Sequence, residues 1–103
     1  MKAEFSQGDL IQISGFKNLF LIVSKNAFIR AVHMFHICPV LKNIEEGPLH
    51  IQIAGINGSS GTAVCEQIKL IDPVQRGCIR KDRLSYAAMV NISDAIQGIF
   101  EYD

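Results

Sequence analysis

The sequence carries no net charge of either sign, because ten Lys and Arg residues balance ten Asp and Glu residues. Without a positive field over the whole chain, any contact with a nucleic acid has to come from a local basic patch. The longest apolar run, LFLIV at 19–23, is far shorter than the roughly 20 residues that span a bilayer. No apolar stretch typical of a signal peptide precedes Gly8. We therefore expect a cytoplasmic protein that does not enter a membrane.

Cysteine is sparse and lacks the spacing of a metal site. None of the three cysteines forms a CxxC pair, and all stand among apolar residues: Cys38, Cys65 and Cys78. We expect them to be reduced core residues. His33 and His36 lie three apart in a predicted strand and would point to opposite faces, while His50 is predicted on the solvent side of its own strand. The sequence thus predicts no metal site and no cofactor.

Tryptophan is absent, and two Tyr and six Phe leave few side chains that could stack on bases. Phe16 and Phe20 are predicted to be loop and core residues. Apolar residues make up 49% of the chain and charged residues 19%, which is typical of a globular domain and not of a disordered chain. At 103 residues, we expect a single domain over 1–103.

Short β-branched runs bounded by glycine dominate the first two thirds of the chain and predict strands. The runs lie at 8–15, 18–24, 31–40, 48–55 and from 61 onward. Pro39 is expected to end the third run. The fourth alternates apolar Leu49, Ile51 and Ile53 with polar residues, as a strand with one solvated face does. Five or more short strands predict a small barrel or a strongly bent sheet.

The pattern changes to a helical one after Ser85, which is a predicted N-cap. Apolar residues then recur at spacings of three and four, at Met89, Ile92, Ile96 and Ile99. This stripe predicts a helix packed on the sheet. The expected fold class is therefore mostly β with a C-terminal α-helix.

Several short motifs occur in an order and spacing typical of one known family. They are GDLIQI at 8–13, LIVS at 21–24, CPV at 38–40, Cys65-Glu66-Gln67, ID at 71–72 and RG at 76–77. The chain resembles the PemK/MazF family of toxin–antitoxin toxins. This resemblance implies a small SH3-like β-barrel, a homodimer, an antitoxin partner and metal-independent cleavage of single-stranded RNA.

Three positions depart from the family pattern. Asn18 and Leu19 stand where the family usually carries arginine and proline, and Leu41 and Lys42 stand where it carries threonine or serine. Val64 replaces an arginine that often precedes the Cys-acid-Gln triplet. These departures leave a second interpretation open, a barrel that has lost catalysis and binds RNA or a protein.

Cleavage of RNA without a metal needs a base for the ribose 2′-OH and positive charge for the phosphate. Glu66 is the conspicuous base in the matching motif, and the resemblance brings Lys17, Lys42 and Arg76 toward it as cations. The alternative is that Glu66 only pairs with Lys69 or Arg76 at a strand edge.

Two polar residues and a basic segment complete the predicted substrate contacts. Asn18 and Gln67 are candidate RNA-binding residues, although Gln67 could instead satisfy a neighbouring strand and Asp72 is expected to order a turn. The segment RGCIRKDR at 76–83 adds Arg80 and Lys81, which suit phosphates or an acidic antitoxin. The alternative for this segment is a solvated hairpin before the helix.

Overall fold

The computed structural model describes residues 4–103, which form seven strands and two helices. In chain order these are β1 (Asp9–Ile13), β2 (Leu19–Ile22), α1 (Asn26–Val32), β3 (Phe35–Leu41), β4 (His50–Ala54), β5 (Ser60–Val64), β6 (Lys69–Ile71), β7 (Cys78–Arg83) and α2 (Tyr86–Gly98). The strands make one antiparallel sheet in the order β4-β5-β3-β2-β1-β7, and β6 pairs with β3. This arrangement confirms the mostly β fold with a C-terminal helix.

The sheet is bent so that both of its faces are buried along β1. Leu10 pairs with Leu21, and Leu21 pairs with Cys38. All three belong to a first core, which α2 covers with Met89 and other apolar side chains. The next residue along β1, Ile11, is equally buried but lies in a second core with Phe35 at its centre. Successive side chains of a strand point to opposite faces, so two cores explain why the adjacent Leu10 and Ile11 are both buried.

The stretch at 31–40 is not the single strand that the sequence predicted. Residues 26–32 form the helix α1, and His33 ends it in the left-handed region at φ 61°. Strand β3 begins at Phe35 and continues through Pro39 to Leu41. On one side, β3 pairs with β6 before Pro39 and with β5 after it. A proline is tolerated there because it falls where the strand changes partners.

His33 and His36 consequently belong to different elements, and the prediction that they share a strand is wrong. His33 caps a helix, whereas the Nδ1 atom of His36 lies 2.8 Å from the Ser24 hydroxyl and its ring lies 5.1 Å from that of Phe28. His36 is therefore held by Ser24 and Phe28, away from His33.

The two ends of the sheet meet at the buried Asp82 of β7, which we call the Asp82 junction. Its carboxylate accepts hydrogen bonds from the backbone N–H groups of Asn57, Ser59 and Arg83 at 2.8–3.0 Å. The Ile56 N–H donates to the Arg83 carbonyl at 2.9 Å. The β4–β5 loop is thus attached to β7, although no strand ladder within residues 4–103 closes the sheet.

The chemistry of this junction explains two features of the sequence around it. A Cβ at Gly55 would lie 2.1 Å from a carboxylate oxygen of Asp82, so only glycine fits there. Burial by itself would raise the pKa of Asp82, but the three backbone amides outweigh it and lower the pKa to about 2. Asp82 therefore stays ionised well into the acid range.

The C-terminal helix has the predicted cap and apolar stripe. The Ser85 hydroxyl accepts a hydrogen bond from the Ala88 N–H at 3.2 Å. Met89 and Ile92 are buried, Ile96 is partly buried against the first core, and Ile99 is exposed just beyond the last turn. Among residues 4–103, neither helix has the length and apolar character needed to cross a membrane.

Candidate functional site

A groove of about 400 Å³ lies between the β1–β2 loop, strand β3 and the segment that follows β5. Most of its lining is apolar: Phe16, Phe20, Ile37, Pro39, Leu41 and Ile68. Three polar residues complete it, namely Asn18, Gln67 and Lys69. The groove therefore joins Asn18 and Gln67, the two uncharged residues that the sequence analysis predicted as substrate contacts.

Two phenylalanines form one wall of this groove. The rings of Phe16 and Phe20 meet edge to face with their centroids 5.3 Å apart, and Phe16 is 44% exposed. The neighbouring Asn18 side chain donates to the Leu19 carbonyl at 2.9 Å, which fixes its amide beside them. Phe16 is a loop residue and Phe20 packs against the second core, as predicted, yet both also face the groove. An exposed aromatic edge in a groove can contact a nucleobase.

Glu66 occupies the turn after β5 and contacts β4 instead of the groove. The Cys65 N–H donates to the Leu49 carbonyl at 2.8 Å, and His50 pairs with Val64 across the two strands. These contacts bring the Glu66 Oε2 atom to 2.9 Å from His50 Nε2. The alternative prediction, an ion pair of Glu66 with Lys69 or Arg76, is therefore wrong, because the partner of Glu66 is His50.

His50 also contacts the chain on its other side. Its Nδ1 atom lies 3.2 Å from the Glu45 carbonyl oxygen, in the connection between β3 and β4. A carbonyl can only accept a hydrogen bond, so Nδ1 must donate, and a protonated ring satisfies Glu45 and the Glu66 carboxylate together. We call this pair of contacts the His50 bridge.

The two charged partners of the bridge stabilise each other's ionised form. The hydrogen bond that His50 donates to the Glu66 carboxylate raises the pKa of His50 despite partial desolvation, and the same bond lowers the pKa of Glu66. The side chains are 33% and 41% exposed, respectively. Glu66 is consequently ionised and accessible at neutral pH, although a lower pKa also makes it a weaker base.

His50 is the residue of this site that sequence reasoning missed. Its place on the solvated face of β4 was predicted, but its partner depends on how β4 and β5 align. The alternation at 48–55 and the short β4–β5 loop could have indicated part of this alignment, because the length of a loop restricts how the two strands of a hairpin pair.

Two buried thiols, those of Cys38 and Cys65, lie beneath the His50 bridge. Cys38 and Cys65 are fully buried in the first core, as expected from their apolar neighbours. The nearby Cys65 thiol and burial both raise the pKa of Cys38, which keeps it protonated. Within residues 4–103, all three cysteines are free; Cys38 and Cys65 are core residues as predicted, whereas Cys78 is only partly buried, against the second core.

Two predicted cations flank the groove without lining it. Lys17 precedes Asn18 in the β1–β2 loop, and Lys42 follows Leu41 at the end of β3; both are exposed. Arg76 is exposed in the connection between β6 and β7. We call Lys17 and Lys42 the lysine rim, since each adjoins a residue that lines the groove.

The basic segment lies on β7, which pairs with β1, so the predicted hairpin is wrong, although its cations are exposed to solvent as that alternative expected. Residues 78–83 pair with β1 at the end of the strand order opposite β4. Arg80 lies 3.5 Å from the Asp9 carboxylate and donates to the Glu4 carbonyl at 3.3 Å, while Lys81 is exposed. In the turn before this segment, the Asp72 carboxylate accepts from the Val74 N–H at 2.9 Å, as predicted.

The fold of this chain is that of the MazF toxins. It is similar to the MazE–MazF complex from Deinococcus radiodurans, with 14% identity and a TM-score of 0.83 over 99% of this chain and 100% of that chain. MazF from the same organism shares 13% identity, with a TM-score of 0.79 over 95% of this chain and 97% of that one.

A third similar structure is an endoribonuclease in complex with its cognate antitoxin from a mycobacterial species. It has 16% identity and a TM-score of 0.77, over 97% of this chain and 100% of that chain. No protein-family model and no curated protein matches the sequence. At this level of identity the similarity establishes the fold, and activity has to be argued from the site.

Proposed function

We propose that this chain is the toxin of a type II toxin–antitoxin system and cuts single-stranded RNA in the cytoplasm without a metal ion. The observation that carries the proposal is the extent of the fold similarity, which spans nearly the whole of this chain and of the MazF structures. One of the similar structures is itself an endoribonuclease bound to its antitoxin. The proposal treats residues 1–103 as one domain.

The groove and its rim supply the features that RNA binding needs. The lysine rim provides positive charge for phosphates, and Asn18 and Gln67 offer amide groups for sugar or base atoms. The exposed edge of Phe16 provides an apolar contact for a base. In this proposal, Lys17 and Lys42 also stabilise the charge that grows on the phosphate as the bond breaks.

Glu66 is the residue that we assign to proton transfer. Its carboxylate takes the proton of a ribose 2′-OH, the 2′-oxygen bonds to phosphorus, and the 5′-oxygen leaves and takes a proton from water. The exposure of Glu66 and its position next to Gln67 support this role. Arg76 is assigned to a neighbouring phosphate, and Arg80 and Lys81 to phosphates farther along the RNA.

We also propose a homodimer and an antitoxin partner. Exposed apolar side chains remain on β7 and α2, including Ile79, Tyr86 and Val90, and an interface would remove them from water. The cations of β7 also suit an acidic antitoxin segment. Light scattering at micromolar concentration should give the mass of a dimer, and a monomer mass would contradict this assembly.

A specific observation favours a second candidate function, a barrel that binds RNA or a protein without cutting it. The residues that line the groove include no acid and no histidine, so the groove itself holds no group suited to proton transfer near neutral pH. Under this candidate, Glu66 would serve only to hold the β5–β6 turn through His50.

The test is incubation of the purified protein with a long single-stranded RNA in EDTA, with the cut sites mapped by primer extension. The Lys17→Ala/Lys42→Ala variant, purified in the same way, controls for contaminating nucleases, because it should cut much more slowly at the same sites. Cuts at defined positions that persist in EDTA support the ribonuclease. Binding without cuts supports the second candidate. A protein that neither binds nor cuts the RNA would contradict both candidates.

A further inference from the structure

The His50 bridge connects two chain segments, one that adjoins the groove and one that contributes to its lining. One segment is the β3–β4 connection at 42–49, which follows the groove residue Leu41 and contains Glu45. The other is the β5–β6 connection at 65–68, which contains Glu66 and the groove residues Gln67 and Ile68. His50 contacts both, at 3.2 Å through Nδ1 and at 2.9 Å through Nε2.

Both ring nitrogens are occupied, which decides what His50 can do. A histidine that transfers protons to a substrate needs one nitrogen directed at that substrate. Here one nitrogen faces a backbone carbonyl and the other a carboxylate of the same chain. This geometry is that of a residue that holds two segments together, and it requires the protonated ring to make both contacts as a donor.

We propose that protonated His50 is a positioning residue, which fixes the β3–β4 and β5–β6 connections so that Gln67 and Glu66 are held in place to receive RNA. The inference rests on the proposed function for its ligand. When His50 loses its proton, one of the two contacts loses its donor, and Gln67 and Glu66 become less firmly held.

Three titratable side chains surround His50. Glu66 faces it from the β5–β6 turn and Cys65 lies beneath it, and both raise its pKa, while Glu46 lines the same surface depression from the β3–β4 connection. The bond to Glu66 is the largest influence and raises the pKa of His50 above its ordinary value. The bridge is therefore complete below the raised pKa of His50, as long as Glu66 is still ionised, and it is lost as the pH rises through that raised pKa.

The experiment follows the protein by NMR from pH 5 to pH 9, without RNA. We expect the His50 ring to titrate above about 6.5, the ordinary histidine value. The backbone amide signals of Lys42 and Gln67, one on each side of the bridge, should shift with the same midpoint.

Glu66→Gln should lower that midpoint, because it keeps a hydrogen-bonding side chain but removes the charge. His33→Asn is the matched control: His33 is exposed with positive φ, which Asn tolerates, and its loss should leave the midpoint unchanged.

Binding of a fluorescein-labelled single-stranded RNA provides the second readout. For the wild type, affinity should fall roughly fivefold across the His50 midpoint, as expected for the loss of about one hydrogen bond. His50→Asn should bind with the weaker affinity at every pH, whereas His33→Asn should retain the wild-type pH dependence.

The outcomes separate this inference from the proposed function. A pKa of His50 at or below the ordinary histidine value would overturn the positioning role. It would also be overturned if the amide signals of Lys42 and Gln67 did not shift as His50 titrates. An unchanged pH dependence of RNA binding in a folded His50→Asn protein would overturn it as well. A wild type that shows the coupled titration but neither binds nor cuts RNA supports the bridge and contradicts the ribonuclease instead.

Discussion

The Asp82 junction and the His50 bridge both hold connections of the sheet in place, but they do so with opposite chemistry. Asp82 is buried and accepts three backbone N–H groups, so its side chain is fully used within the fold. His50 and Glu66 are partly exposed and satisfy each other with side-chain charge. A polar group can thus be fixed by backbone amides in the interior, as Asp82 is, or by a titratable partner beside the groove, as Glu66 is.

The His50 bridge should be the place where a change affects cleavage far more than folding. Glu66→Gln retains the shape of the side chain but cannot accept the proton, and a general base contributes roughly 10²–10⁴-fold in rate. We expect a loss of RNA cleavage of that size. The rate of cleavage and the thermal midpoint should be measured on one preparation.

Glu101→Gln is the matched control for that measurement, because Glu101 is an exposed acid after α2. Glu101→Gln should retain both the cleavage rate and the thermal midpoint of the wild type. Near-wild-type cleavage by Glu66→Gln would remove Glu66 from the chemistry and make the bridge purely structural.

The Asp82 junction should show the reverse behaviour. Asp82→Ala leaves three backbone N–H groups without their acceptor, so the thermal midpoint should fall by more than roughly 10 °C. Well below that midpoint, the folded fraction should still cut RNA. Asp94→Ala, which removes an exposed acid of α2, should leave the midpoint nearly unchanged. Equal midpoints for the two variants would refute the role of the junction.

Acid should weaken the same junction at a pH set by Asp82. Its pKa of about 2 lies below the ordinary value of about 3.9 for an unfolded aspartate. The stability that it contributes is therefore complete above about pH 4 and is lost as the pH falls toward 2. The free energy of unfolding, measured with urea, should differ less between pH 2 and pH 5 for Asp82→Asn than for the wild type. A difference as large as that of the wild type would assign the acid sensitivity to other carboxylates.

The smallest expected effect concerns Arg80 and Lys81 of β7, whose side chains belong neither to the Asp82 junction nor to the His50 bridge. Replacing Arg80 and Lys81 with alanine should weaken RNA binding about equally for all sequences and reduce its salt dependence by up to about two units of slope. Arg80 already lies near Asp9, so its share should be the smaller one. Titration of RNA at several salt concentrations measures this, and an unchanged slope would take β7 out of the RNA-binding surface.

Local patterns were sufficient to predict the elements whose cause is local. The alternation at 48–55 predicted β4, the apolar stripe after Ser85 predicted α2, and Asp72 was correctly expected to order a turn. The stretch at 31–40 was misread because apolar residues of a short helix and of a buried strand look alike over so few positions.

Contacts between distant residues could not be predicted in the same way. Glu66 was expected near lysine or arginine, and only the pairing of β4 with β5 reveals His50 as its partner. In the sequence, Asp82 is simply the lone acid of the basic segment at 76–83, and nothing in its neighbours indicates that the β4–β5 loop returns to it. Both residues depend on long-range alignment of strands, which local sequence does not specify.

If this chain cuts RNA by attack of a ribose 2′-OH, the 2′-OH at the cut site is indispensable. To test this, a short RNA that contains a mapped cut site is incubated with the protein in EDTA. The same RNA with a single 2′-deoxy residue at the cut position is incubated in parallel, and the products of both are identified by mass spectrometry. We expect fragments that end in a 2′,3′-cyclic phosphate from the first RNA and an intact second RNA. Cleavage of the 2′-deoxy RNA, or fragments with a 3′-hydroxyl end, would contradict it.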